Sequence, residues 1–196
     1  MLRVTCAAII IAILASHARA ESPAAISAND NTVVPGQRVG AITLYSSLSV
    51  LRALYGANNV RPKMQPLPSG DTTPGARLFE GTNRQLDLLW DEDGREKRVV
   101  EVRITGKAWT LQNGLKTGLT VAEVEHINGK SFKINASDTE YASFDGGSLA
   151  TGLGIRFFPT TTTAKHSPGG GKKQPAADTE SPASAPVVTQ IAIWLR

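Results

Sequence analysis

The sequence predicts an α+β protein in which two pseudo-repeats, each a short helix followed by antiparallel strands, share one twisted antiparallel sheet. Three observations predict it. A ten-residue pattern recurs 73 positions along the chain, two alternating segments flank an acidic turn at its centre, and a strongly apolar segment closes it.

The recurring pattern sets the helices. Ser47-Leu-Ser-Val-Leu-Arg-Ala-Leu-Tyr-Gly56 and Thr120-Val-Ala-Glu-Val-Glu-His-Ile-Asn-Gly129 align without gaps. In each, a hydroxyl residue stands where it can accept the orphan N–H groups of a helix start, and Thr120 with Glu123 forms a capping box. Leu48, Leu51 and Leu54 in the first copy, and Val121, Val124 and Ile127 in the second, make one apolar stripe at helical spacing. Gly56 and Gly129 are placed to end each helix in the left-handed conformation. Two helices of about two turns cannot stand alone in water, so each must lay its stripe on a sheet.

Between them, RQLDLLWDEDGREKRVVEVRI reads as two strands, with Leu86, Leu88 and Trp90 alternating on one and Val100, Val102 and Ile104 on the other. Register follows from the turn. A two-residue turn at Asp93-Gly94 would send those sets to opposite faces. A three-residue loop of Glu92, Asp93 and Gly94, with Asp91 opposite Arg95, unites them and is the predicted connection. The acidic cluster lacks the ligand spacing of a calcium loop and reads as a solvated tip. After the second helix, Lys130 to Ile134 reads as a strand. Leu153, Ile155 and Phe157 alternate in another, and Val187 to Leu195 returns as a last, buried one.

The remaining stretches are soft. Residues 1–20 carry Arg3, the apolar run Cys6 to Ala15 and the small residues Ala18 and Ala20, the pattern of a cleaved secretory signal. As a helix the run rises only about 15 Å, half of a bilayer core of roughly 30 Å. Residues 21–33 read as a flexible N-terminus, and 34–196 as one α+β domain. Residues 61–75 hold four prolines and two glycines and read as a loop. The excursion at 160–186 has eight Ser or Thr, four Pro and three Gly among 27 residues, too few core-forming side chains to fold, and reads as disordered.

Composition excludes whole classes. With 196 residues, 41% hydrophobic and 19% charged, the chain is not a coiled coil or a disordered protein. Its single cysteine, Cys6, lies in the leader, so the mature chain has no disulfide and must hold itself together by burial. This favours a bacterial envelope protein, periplasmic or extracellular. The net charge of +4 falls to 19 basic against 17 acidic residues once Arg3 and Arg19 leave with the signal, which gives no footing for nucleic acid. No membrane span is expected after cleavage.

The second helix and its lead-in, Gly118-Leu-Thr-Val-Ala-Glu-Val-Glu-His-Ile-Asn-Gly129, resemble the opening of the repeats in beta-lactamase-inhibitor-like domains and the related small outer-membrane-assembly lipoproteins. The resemblance covers about a dozen residues. It departs from the pattern in lacking a lipidation box, in Lys130 where a proline usually follows the glycine, and in Ala41-Ile42-Thr43 ahead of the first copy. What it implies is a non-catalytic protein-binding module.

Catalytic signals are missing from the sequence. His126 and His166, which survive maturation, have no second ligand at metal spacing, and neither a nucleophile elbow nor a phosphate loop is present. No cofactor and no metal are expected. The reading is therefore an exported, non-catalytic protein-binding or envelope-assembly module whose partner is another envelope or extracellular protein. A secreted hydrolase using carboxylates, or a small-ligand or polysaccharide binder, is the alternative. Trp109, Trp90 and Tyr141 are the candidate partner-binding anchors, with Trp109 expected at the surface.

Overall fold

The computed structural model describes residues 26–91, 98–134, 141–142, 144, 146–149, 153–158 and 185–196. The predicted signal at 1–20, the predicted three-residue loop at Glu92, Asp93 and Gly94, and the predicted excursion up to residue 184 lie outside the described residues.

The architecture is α+β, as the sequence predicts, with two helices and mostly antiparallel sheet. Helix α1, Leu48–Tyr55, starts at Ser47, whose hydroxyl accepts the Val50 N–H. Helix α2, Val121–Asn128, starts at Thr120, where both halves of the capping box form. Gly129 ends α2 in the left-handed conformation (φ 71°, ψ 6°). Gly56 instead takes φ 87°, ψ 140°, because the chain passes straight into a 3-10 turn at Ala57–Asn59 and on into a strand.

Twelve strands follow one another along the described chain: β1 Thr32–Val34, β2 Arg38–Val39, β3 Ile42–Thr43, β4 Val60–Pro62, β5 Gln65–Pro66, β6 Thr72–Thr73, β7 Gly75–Leu78, β8 Leu86–Trp90, β9 Val99–Ile104, β10 Thr110–Leu111, β11 Leu153–Phe158 and β12 Val187–Trp194. The main sheet runs β11-β12-β9-β8-β7-β4, all pairs antiparallel. A smaller sheet runs β10-β1-β2-β3, its β1–β10 pair parallel, and β5 with β6 forms a separate ribbon.

Register in the main sheet explains its core. Val60, Leu78, Leu86, Ile104, Ile191 and Ile155 stand side by side in one row across all six strands. Ala76, Leu88, Val102, Ile193 and Leu153 form the next. These rows share one apolar cluster with Leu51 and Tyr55 of α1, Val124 of α2, and Val33, Val39 and Ile42 of the small sheet. The helices, marginal by themselves, are held by this layer.

Several sequence expectations need correction. The central strands do set Leu86 and Leu88 on one face with Ile104 and Val102, but not in the register predicted from Asp91 opposite Arg95. Leu86 faces Ile104 and Leu88 faces Val102, after which a bulge sets Trp90 opposite Val99. The Asp91 N–H then donates to Arg98 O, where Arg95 was expected opposite it. The reason is tertiary: Val99, fully buried, donates its N–H to Leu44 O, which draws it inward in place of Val100. The stretch predicted as a flexible start, 21–33, contains the first two residues of β1, where Val33 is fully buried. Residues 130–134 form no strand, although β11 and β12 stand where predicted. The proline-rich loop carries β4, β5 and β6, with Pro62 ending an edge strand, where a missing N–H costs no ladder bond.

Candidate functional site

The opposite face of the main sheet is polar, and it is roofed. Register places Arg61, Arg77, Asp87, Arg103, Ala192 and Gly154 in one row. Gly75, Leu89, Glu101 and Trp194 stand in the row beside it. Alternation alone marks this as the solvent side, yet β8 is buried along its whole length. The cover is the ribbon β5–β6, which folds back over β7 to β9. Gly75 permits the crossing, since a Cβ there would collide with the Leu88 carbonyl and the Gln65 side chain.

Arginine forks tie this roof down. Arg77 grips Asp87 with two bonds, Nε to Oδ1 at 2.7 Å and Nη2 to Oδ2 at 2.8 Å. Gln65, 1% exposed, donates to the same Asp87 Oδ1 at 3.2 Å. Next along, Arg103 donates through Nε to Glu101 Oε1 at 2.7 Å and through Nη1 to the Pro66 carbonyl at 2.6 Å. Such charge-assisted, bidentate contacts fix geometry as well as energy. The Asp87 bond holds the Arg77 guanidinium above its ordinary pKa. Burial works against the charge of Arg103, but the hydrogen bond and charge of Glu101 outweigh it and raise that pKa as well.

Tyr141 completes the network from the far side. Its hydroxyl donates to Glu101 Oε1 at 2.9 Å, and its ring meets Trp194 edge-on at 5.7 Å. The Arg156 guanidinium lies 4.5 Å from its centroid. Gly154 admits the ring, because a Cβ would press into both Tyr141 and Trp194. Burial first, and the Glu101 charge second, push the phenol up to about 12.

Where roof and sheet part, a cleft of about 360 Å³ opens. Leu67 and Thr73 line it from the roof, Leu89, Trp90 and Asp91 from β8 and its end, and Val100 and Glu101 from β9. The walls are largely apolar with polar groups at a few points, the composition of a recognition site. Among the described residues, two polar atoms of the lining, Trp90 Nε1 and Asp91 Oδ1, have no hydrogen-bond partner. The carboxylates are engaged by arginines: Asp87 by Arg77, Glu101 by Arg103 and Asp91 by Arg98 at 3.6 Å.

Of the three sequence candidates, two meet at this place. Trp90, 2% exposed, lines the cleft, and Tyr141 reaches it through Glu101. Trp109 does not, and the expectation of a surface tryptophan is overturned. It is fully buried, packs against Gly40, and donates its indole N–H to Arg84 O at 3.0 Å, at the opposite end of β8. Gln65, Asp87, Glu101 and Arg103 were not singled out by sequence reasoning, because charged residues at alternate strand positions read as a solvated face. Gln65 and Leu67, set among the prolines, were the available signal. His126 is exposed on α2, and among the described residues no group of three or more His, Cys, Asp or Glu could hold a metal.

No protein-family model matches the sequence, and no curated protein matches it. Among solved structures, the chain is similar to the uncharacterized protein yfeY from Escherichia coli, at 13% identity and a TM-score of 0.47, over 83% of this chain and 99% of that one. A likeness of that size says nothing about function. No helix among the described residues is long and apolar enough to cross a membrane.

Proposed function

We propose that this chain is an exported, non-catalytic binding module of the bacterial envelope, and that it takes an extended apolar segment of a protein partner into the roofed cleft. The leader pattern at 1–20 supports export, and the mature chain's lack of cysteine fits the bacterial envelope. The carrying observation is the cleft itself: apolar walls from Leu67, Leu89 and Val100, beside carboxylates already committed to arginines. In the same reading, α1 and α2 with their following strands are pseudo-repeats around one sheet, each capped by a hydroxyl residue and closed by glycine. A small apolar ligand is the alternative, since about 360 Å³ lies within the usual range of ligand pockets.

Titration of the isotopically labelled chain with extended apolar peptides, followed by amide NMR, tests the proposal. Shifts are expected at Leu67, Thr73, Leu89 and Val100, and Leu67→Asp abolishes them. Hydrolysis of a substrate that a single Asp or Glu substitution eliminates would reject the module. Response to small apolar molecules but to no peptide would transfer the site to the alternative.

A further inference from the structure

We propose a second site, independent of the cleft, that binds a phosphate-bearing group at the corner where β4 meets β7. Three cationic side chains converge there on one exposed carboxylate. Arg61 Nη1 lies 3.3 Å from Glu80 Oε2, Arg77 Nη1 3.3 Å from Glu80 Oε1, and Lys63 Nζ 3.9 Å from the same oxygen. The fork of Arg77 is already satisfied by Asp87, so Arg61 and Lys63 together face the single charge of Glu80 and leave one positive charge in excess. A cavity of about 110 Å³ adjoins Arg61, Arg77 and Glu80, lined also by Asn58, Asn59, Phe79 and Thr82.

Glu80 marks where an anion sits and shows that a carboxylate fits poorly. All three contacts exceed the roughly 2.7–2.9 Å of a good charge-assisted bond, because two oxygens are shared among three donors. A phosphomonoester brings three oxygens and close to two charges, one acceptor for each cation. Glu80 can yield its place: its side chain is 43% exposed. It follows Phe79, which holds φ 52°, the left-handed region. That backbone turn carries the chain back so that Glu80 meets Arg77 three residues earlier. Phe79 is fixed in it by Tyr55, edge-on at 5.2 Å, and by the Arg84 guanidinium 4.3 Å from its centroid. The corner is thus a cluster of cations around a removable internal anion, built on a turn that Phe79 fixes.

The test is titration of the full chain with inorganic phosphate, and in parallel co-sedimentation with phosphatidylcholine vesicles with and without phosphatidic acid. Glu80→Gln removes the competing anion and is expected to tighten binding about fivefold, the worth of one exposed ion pair. Arg61→Gln with Lys63→Gln is expected to abolish it, while the charge-matched Lys107→Gln with Lys116→Gln leaves it unchanged. Added salt should weaken it. Binding of free phosphate with this variant pattern supports a soluble phosphate ligand. Binding of phosphatidic acid vesicles alone, with the same pattern, supports a lipid headgroup. No binding in either arm, or equal loss in the two double variants, overturns the proposal.

Discussion

The two faces of the main sheet come from the same strands, often from neighbouring residues, and solve burial in opposite ways. On the inner face, Leu88 is fully buried in the apolar cluster, and its stability comes from area removed from water. One residue earlier, Asp87 is 5% exposed on the outer face and is held by Arg77 and Gln65. The inner face is non-directional and tolerates any apolar group of suitable volume. The outer face depends on donor and acceptor positions, so it fixes where the roof sits. The difference separates a surface that makes the protein fold from one that shapes a cleft.

Substitutions can break that contrast, beginning with the largest effect. Trp109→Ala empties a fully buried site and is expected to cost about 3–5 kcal/mol, read as a lowered urea midpoint; any loss of binding in that variant then reports unfolding. Asp87→Ala strands a guanidinium and an amide under the roof, and about 3 kcal/mol is expected. Replacing both partners, Arg77→Met with Asp87→Leu, should restore much of that stability, whereas Leu88→Ala has no such polar rescue. If the double variant were no better than Asp87→Ala, the outer face would not be an ion-pair surface of the kind described.

Smaller effects sharpen the comparison. Thr120→Ala removes the hydroxyl half of a capping box, both its bond from the Glu123 N–H and its bond to the Glu123 carboxylate, and is expected to cost about 1 kcal/mol. Ser47→Ala removes the cap bond of 3.3 Å and a 2.9 Å hydroxyl contact to Ser49, neither of them to a charged group, and should cost less. At neutral pH the least effect is expected of Tyr141→Phe, which gives up the bond to Glu101. Its signature is pH dependence. The folded pKa of Tyr141 is raised to about 12 from an ordinary 10, so its contribution is complete below pH 10 and is lost as pH rises towards 12. Urea midpoints measured across that window should fall less steeply in Tyr141→Phe than in the parent chain.

Much of the fold was legible because it depends on short-range pattern. Both helices begin at the hydroxyl residues the repeat singled out, and β11 and β12 lie where apolar alternation put them. The hairpin was half legible. Alternation settled that Leu86 and Leu88 share a face with Val102 and Ile104, but that Val99 turns inward in place of Val100 depended on its finding Leu44, more than fifty residues earlier in the chain. The cleft was scarcely legible. Trp90 and Tyr141 were named as aromatics of interest, yet Leu67 and Thr73 come from a stretch whose prolines read only as loop.

By itself the sequence determined the caps, the apolar stripes and the alternation, since each rests on residues within a turn or a strand of one another. Tertiary structure decided that the proline-rich stretch folds over the sheet, that Trp109 is sealed inside while Trp90 lines a cleft, and that Arg61, Lys63 and Arg77 gather around Glu80. An alternating strand states that its two faces differ. Which face meets water is settled by what packs on it, and for β8 the answer is neither.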